Sequence, residues 1–304
     1  MKKLFLLFLI TNLISCPNSP NNIKVMSFNI RYDTESDGIY KWDNRKEFVL
    51  EVINDFSPDL LGIQEAMMSQ VNYLKLNLSG YYGFGIKTNK NIDQQDSLLF
   101  VKKSRFNIID EKHFWMSKTP EIPYSNNFNT YNSTSIQNQR TISCVTLYDK
   151  VNYNDLFFCN THWNGDVLWV EQASELTKRI FTKLGKDINI LVGDFNAFPF
   201  DYNSWPSSPD WILNKKSRAY SILTSFLVDG FKMLYPNNTQ PSGCGWDPVC
   251  PKFDNDYRVD WIMHSDSVFT SDAEILVKRR NGVPVSDHFP VISILNYSFL
   301  DKQL

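Results

Sequence analysis

Cysteine is scarce and scattered in this chain, five in 304 residues, with no Cys-x-x-Cys pair and no Cys/His cluster. A structural zinc site is therefore not indicated. An excess of charge of one sign is missing too: 31 Lys and Arg stand against 33 Asp and Glu, a formal net charge of -2. A protein that grips duplex nucleic acid by its overall field is basic, so the composition does not ask for such a partner, although a local basic groove stays compatible with it. There is no internal repeat and no linker that would divide the chain into two folding units. The apolar run at the N-terminus is too short to cross about 30 Å of hydrocarbon as a helix.

That run has another use. Lys2 and Lys3 precede apolar residues from Leu4 to Ile10, continued through Leu13 and Ile14, a basic n-region and an h-region. Residues 1–16 are read as an export signal and 17–22 as a short tether. Leu13-Ile14-Ser15-Cys16 resembles the lipobox of bacterial lipoproteins, in which the Cys is acylated; ordinary cleavage nearby is the alternative. The expected location is thus outside the cytoplasm, either secreted or anchored through Cys16 as a lipoprotein at the cell surface or periplasm. Disulfides are allowed there. Cys244 and Cys250 share one loop, which makes a local bridge plausible. Cys144 and Cys159 fall in two apolar segments expected to pair as strands, where a bridge or two buried thiols fit equally well.

Hydrophobic residues make up 42% and charged residues 21%, normal for a globular chain with a sizeable core. The folded unit is placed at 23–298, as a monomer. Ile23–Ile30 opens it as a strand. Apolar residues at Phe48, Val49, Val52, Ile53 and Phe56 predict a helix over Trp42–Asp55, stopped by Ser57-Pro58. Asp59–Gln64 reads as a buried strand and Ser69–Leu78 as a second helix. Strands are predicted at Tyr81–Ile86, Ser97–Lys102, Thr141–Tyr148, Leu156–Thr161, Ile188–Gly193, Arg258–His264 and Val291–Tyr297, with a third helix at Val167–Leu184. Polar stretches at Lys118–Asn138 and Phe198–Ser217 read as long loops. This order suits an α/β fold in four α/β/β/α layers: two mixed sheets packed face to face with helices outside.

Polar residues recur where these apolar strands end. Asn29 closes the first strand and Glu65 the second. Asn160-Thr161-His162 and Gly193-Asp194-Phe195-Asn196-Ala197 close two others, Asp260 sits in Tyr257–Ile262, and Ser286-Asp287-His288 precedes the last strand. Each alone is an ordinary turn former or solvated group. Together they place acids, amides and two of the four histidines at one edge of a sandwich.

These motifs, in this order from Val25 to Ile294, resemble the endonuclease/exonuclease/phosphatase superfamily, the fold of secreted deoxyribonucleases, abasic-site endonucleases, sphingomyelinases and inositol polyphosphate phosphatases. The pairing of Gly193–Ala197 with Ser286-Asp287-His288 is the specific part. The start Phe28-Asn29-Ile30-Arg31-Tyr32-Asp33 and the helix run Trp42-Asp43-Asn44-Arg45-Lys46 resemble an exported bacterial subgroup. The resemblance implies a divalent-metal-dependent hydrolase of phosphate esters. Glu65 would be the principal ligand of Mg2+ (or Mn2+), with Asn29 holding its outer shell or the scissile phosphate and Asp287 at a second metal or ordering the loop. Asp194 would orient or deprotonate the attacking water, helped by Asn196. His288, partnered by Asp260, would stabilise charge on the phosphate or serve as the general base, and His162 would donate to a phosphate oxygen. Arg31 stands where abasic-site endonucleases carry a carboxylate, and would contact a substrate phosphate through a bidentate pair. Asn164 stands where relatives in the subgroup carry an Asp, and is placed with Trp163 at the substrate.

The substrate class is left open among nucleic acid, a phospholipid head group and a sugar or inositol phosphate, because the fold hosts all three. A lipid substrate would favour exposed aromatics at the rim, for which Trp163, Trp205 and Trp246 are candidates. The rival reading is a surface binding module without activity. Inactive copies lose the metal acid or the Asp–His pair, whereas Glu65, Asp194, Asn196, Asp260 and His288 are all here.

Overall fold

The computed structural model describes residues 21–125, 128, 139–199, 217–247 and 257–297. The export signal, Cys16, most of the tether, most of the two long loops, Trp205 and Cys250 lie outside the described residues.

Period-two alternation sorts the strands into two faces, and this alone builds the layers. In strand β1 (Ile23–Asn29), Ile23 and Val25 face the middle of the sandwich while Met26 and Phe28 face outward. In β2 (Leu60–Met67) and β4 (Gln94–Lys102) the same split puts Leu60, Leu99 and Val101 inside and Leu61, Ile63, Leu98 and Phe100 outside. Helices α1 (Trp42–Phe56) and α2 (Met68–Asn77) cover that outer face with Phe48, Val49, Val52, Val71 and Leu74. The helix α1 ends where predicted, with Ser57 in the left-handed region ahead of Pro58.

The first sheet is completed by β3 (Tyr81–Phe84), β11 (Val268–Ile275) and β14 (Val291–Tyr297), in the order β11-β14-β1-β2-β4-β3. The second runs β5-β6-β7-β8-β10-β9, from β5 (Phe106–Trp115), β6 (Thr141–Asp149), β7 (Asn154–His162), β8 (Ile188–Asp194), β9 (Val228–Asp229) and β10 (Asp260–His264). Helices α3 (Val167–Leu184) and α4 (Ala219–Thr224) cover its outer face; a short α5 (Gly230–Leu234) and a small hairpin of β12 (Arg279–Arg280) and β13 (Val283–Pro284) complete the described elements. The predicted four-layer sandwich of two mixed sheets is the observed fold. Among the described residues no helix is long and apolar enough to cross a membrane.

Five strands were not predicted: the two-residue β9, β12 and β13, too short to show a pattern, and the longer β5 and β11. Both are sheet edges with mostly exposed, charged or polar residues, such as Asp110-Glu111-Lys112-His113, and an edge strand need not be apolar on either face. Cys144 and Cys159 stand directly opposite each other on β6 and β7 and form a disulfide, which settles one open pair. Cys244 is also disulfide-bonded, while Cys250 lies outside the described residues.

Toward one end the middle layer changes character. Ser27, Gln64, Ser97, Thr141, Ser143 and Asn160 are buried there in place of aliphatic side chains. Asn160 reaches across from β7: its Nδ2 donates to Ile63 O and Leu98 O at 2.8 Å each, and its Oδ1 accepts from Gln64 Nε2 at 2.7 Å. These bonds fix the separation of the sheets next to the site. Gly62 makes the close approach possible, since a Cβ there would lie 2.4 Å from Val192 Cγ2 and 2.8 Å from Asn160 Cγ. Gly62→Ala is predicted to cost about 1–3 kcal/mol, the usual penalty for overpacking a core. Urea unfolding measures it, and a wild-type midpoint would mean the sheets can part freely.

Candidate active site

Strand polarity brings the predicted residues to one end. β1 and β2 run parallel, as do β7 and β8, while β4 and β10 run antiparallel to their neighbours. The C-terminal ends of β1, β2, β7 and β8 therefore meet the N-terminal ends of β4 and β10. In the second sheet His162, Asp194 and Asp260 lie in one row across three neighbouring strands.

Asp194 is the hub. It is buried, its Oδ1 accepts from Asn196 N at 2.9 Å, and its Oδ2 accepts from Asn29 Nδ2 at 3.0 Å. His162 Nε2 lies 3.4 Å and His288 Nε2 3.9 Å from the same Oδ2. Burial pushes the Asp194 carboxyl up, but the two imidazoles and these donors more than offset it and hold it below the ordinary carboxylate range. Asn29, the end of β1, also donates to Glu65 Oε1 at 3.2 Å, so one amide sets the positions of two acids.

Glu65 is partly exposed and takes a second bond on Oε2 from Tyr32 N at 3.2 Å. Its backbone has φ +68°, a region that costs a residue with a Cβ, such as Glu, about 1–2 kcal/mol. Seven described non-glycine residues have positive φ, and three of them, Arg31, Glu65 and Asn196, border this cleft. Backbone strain gathered at one set of polar side chains is a mark of a functional site.

Two carboxylate–imidazole pairs converge on Asp194. Asp260 Oδ2 lies 2.9 Å from His288 Nδ1; burial disfavours the imidazolium, but Asp260 and Asp194 raise the His288 pKa well above its ordinary value. Ser242 holds the other side of this pair, its Oγ accepting from Val259 N and Asp260 N at 3.0 Å each. Gly243 lies flat on the His288 ring, where a Cβ would be 3.1 Å from Cε1. The second pair was not predicted: Asp96, at the polar start of β4, has Oδ1 3.0 Å from His162 Nδ1 and is itself paired with Arg140. Burial pushes Asp96 up, but Arg140 and His162 hold it well below the usual range. Burial and the Arg140 charge push His162 down, yet Asp96 and Asp194 leave its pKa raised.

The remaining expectations fare unevenly. Asn196 donates from Nδ2 to Trp163 O at 3.0 Å and lies 3.2 Å from His162 Nε2, so it belongs to the site. Asp287 stands at the rim, where burial and Glu65 push its carboxyl up. Arg31 is at the rim too, 3.7 Å from Asp287, but its Nε and Nη2 fork is engaged by Asp37 at 3.0 and 3.1 Å. A bidentate grip on phosphate by Arg31 is therefore corrected. Trp163 is corrected as well: it is fully buried, edge-on to Phe195 at 4.8 Å, and anchors the loop by donating its backbone N–H to Asp194 O. Asn164 is half-buried and braces the turn, its Oδ1 accepting from Asp166 N at 3.4 Å.

A four-layer sandwich whose strand ends gather acids, amides and paired imidazoles around one carboxylate defines the class of the two-sheet hydrolases. The family model described as Endonuclease/Exonuclease/phosphatase family matches residues 26–288, and the chain belongs to that family. Among solved structures it is similar to an endonuclease/exonuclease/phosphatase from Bacteroides vulgatus, with 22% identity over 91% of this chain and 99% of that one and a TM-score of 0.74. It is similar to the mannosyl-6-phosphatase of Bacteroides thetaiotaomicron, 22% identical over 90% and 100% of the two chains, TM-score 0.73. The human Nocturnin catalytic domain, bound to sulfate, is 20% identical over 91% and 94%, TM-score 0.65. No curated protein matches the sequence.

Proposed function

We propose that this family hydrolase is an exported, divalent-metal-dependent enzyme that hydrolyses small phosphate esters. The observation that carries the reading is the convergence of two separate carboxylate–imidazole pairs and two amides on the single buried carboxylate of Asp194. A binding module has no use for that much buried, coupled charge, which costs stability.

Glu65 and Asp287 fit a hard divalent cation. They are partly exposed carboxylates, and the Glu65 charge raises the cost of ionising Asp287, a repulsion a cation would relieve. Asn29 has its amide engaged with both acids and acts by holding Glu65. Asp194, Asp260 and His288 also form a group whose ligand atoms lie within 4.8 Å of one another. There, however, the 2.9 Å contact between Asp260 and His288 is a hydrogen bond that a cation would have to break, so a proton is the better occupant. A bound Mg2+ or Mn2+ supplies positive charge to the phosphate oxygens.

The protein's own groups do the rest. Asp194, ionised and held by Asn29 and Asn196, aligns a water against phosphorus and takes its proton as the new P–O bond forms; the P–O bond to the alcohol breaks, and the leaving oxygen takes a proton from solvent. His288, kept as imidazolium by Asp260, donates to a phosphate oxygen, and His162, set by Asp96, donates from the other side. The substrate side favours a small ester such as a sugar phosphate over a polynucleotide. Acids Asp33, Glu35 and Asp37 follow Arg31 in the sequence, the net charge is -2, and a sugar phosphatase shares the fold. A lipid surface has little support, because Trp163 is buried and Trp246 is stacked on Tyr40 at 4.8 Å. Export is supported by the Cys144–Cys159 and Cys244 disulfides, which persist in oxidising compartments.

The test is turnover of sugar phosphates, inositol phosphates, DNA, RNA and sphingomyelin by the full-length chain with Mg2+, Mn2+ or EDTA. Metal-dependent release of phosphate from a small ester is expected. Glu65→Gln is predicted to raise the metal concentration for half-maximal rate by more than the roughly 10- to 100-fold that loss of an outer partner costs. Equal turnover in EDTA, or an unchanged metal requirement in Glu65→Gln, would remove the metal assignment.

A further inference from the structure

The helix-opening run Trp42-Asp43-Asn44-Arg45-Lys46 has no part in the chemistry above, yet it reaches the site. Arg45 is buried, and its Nη1 donates to Ile30 O at 3.0 Å and to Val285 O at 2.8 Å, while Nε donates to Tyr40 O. Ile30 follows Asn29 directly. Val285 stands two residues before Asp287 and three before His288. Tyr40 ends the 3-10 turn Glu35–Tyr40, which brings Asp37 onto Arg31. One guanidinium thus joins three segments that lie far apart in the sequence or across a turn, and two of them carry residues of the cleft. Above it lies the ring of Trp246, 5.0 Å from the guanidinium and stacked on Tyr40.

The choice of residue is informative. Every hydrogen bond of Arg45 goes to a carbonyl, and Nη2 has no partner at all. Burial holds its pKa down to about 10 even with Asp287 and Asp37 nearby. A buried cation without a hydrogen-bonded counter-ion is a poor way to stabilise a fold, and an apolar side chain of similar size would do better. Only the planar, multi-donor fork of Arg reaches carbonyls on separate segments at once. Ser286 spans the same gap, its Oγ donating to Asn29 O at 2.8 Å.

We propose that Arg45 is a positioning residue for hydrolysis, fixing the spacing between the Asn29–Glu65 side of the cleft and the Asp287–His288 side. Its kinetic consequence rests on the phosphate-ester reading; its mechanical one does not. The test uses the full-length chain with Arg45→Met and Arg45→Lys, and with Arg105→Met, far from the cleft, as a stability control. Steady-state kinetics, melting temperature and hydrogen–deuterium exchange of peptides covering 28–32 and 285–291 are measured together. Arg45→Met should lower kcat about 100-fold, the scale of an ångström of misplacement, with KM little changed. Arg45→Lys, which keeps the charge and loses the fork, should fall between. Exchange in both peptides should quicken in both variants, while Arg105→Met keeps wild-type kcat wherever it is folded.

Wild-type kcat in folded Arg45→Met, or unchanged exchange in the two peptides, would overturn the proposal. If Arg45→Met does not fold, the same two criteria are applied to Arg45→Lys. If the wild-type chain turns over no phosphate ester, the functional reading falls, and the exchange data still decide whether Arg45 holds the segments.

Discussion

Replacing Asp194 with asparagine is expected to lower kcat by about 10²- to 10⁴-fold, the range for a group that moves a proton in the transition state. The change keeps the volume of the side chain and removes its charge. Three consequences follow from the geometry. The acceptor for the water's proton is lost. His162 and His288, 3.4 and 3.9 Å away, lose the carboxylate that helps keep them protonated. The new amide must also turn an N–H toward either Asn29 Nδ2 or Asn196 N, each of which now donates to Asp194. The ordered pair is therefore disturbed whichever way the amide sits. Metal contacts elsewhere are untouched and the melting temperature should stay near wild type, while KM should rise only as far as the two imidazoles weaken their hold on the phosphate. Kinetics and circular dichroism on the purified variant check this. A kcat within tenfold of wild type would move the proton to His162 or His288.

The sequence made the middle of both sheets readable and left their margins dark, for one physical reason. Central strands such as β1, β2, β7 and β8 are buried on both faces and show as apolar runs ended by a polar residue. The residue after such a run is where the chain leaves the core, so Asn29, Glu65, His162 and Asp194 were legible by position. β5 and β11 bury little and carry no such run. Asp96 was missed because β4 begins with the polar Gln94-Gln95-Asp96, buried only because the opposing sheet covers them, so the predicted strand began three residues late. Arg140 and Ser242 border the site through contacts across 44 and 18 residues, which spacing cannot display. The errors ran the other way for Trp163 and Arg31. Trp163 was taken for an aromatic at the substrate and is buried, whereas Arg31 does border the cleft but has its fork engaged by Asp37. Period-two alternation argues otherwise for Trp163, since it turns away from the side that His162 faces.

At the far end of the sandwich, replacing Arg105 with methionine should destabilise the fold by about 3–5 kcal/mol, the cost of leaving a buried carboxylate without its cation. Arg105 joins Asp59 at 2.9 Å to Asp149 at 2.8 Å, and both of its acids are buried. Asp59 keeps Lys102 at 3.0 Å after the change, so the orphaned charge is Asp149. Tyr297 and Asn152 still donate to it, at 2.7 and 3.0 Å, which limits the loss without cancelling it. The same pair sets an acid limit. Burial pushes the Asp149 carboxyl up, but Arg105 and its other donors leave it below the ordinary 3.8. A depressed folded pKa gives stability that is fully present above 3.8 and is lost as pH falls through the folded value. In Arg105→Met the burial is less opposed, so that acid-side loss should shrink or change sign. Adding Asp149→Asn to Arg105→Met removes the second charge and should recover part of the stability, because a neutral buried pair has no unpaired ion. Urea unfolding at neutral pH and again near pH 4 measures all three variants. Equal midpoints for wild type and Arg105→Met would mean that Asp149 is neutral in the folded protein and that this network is held by its hydrogen bonds alone.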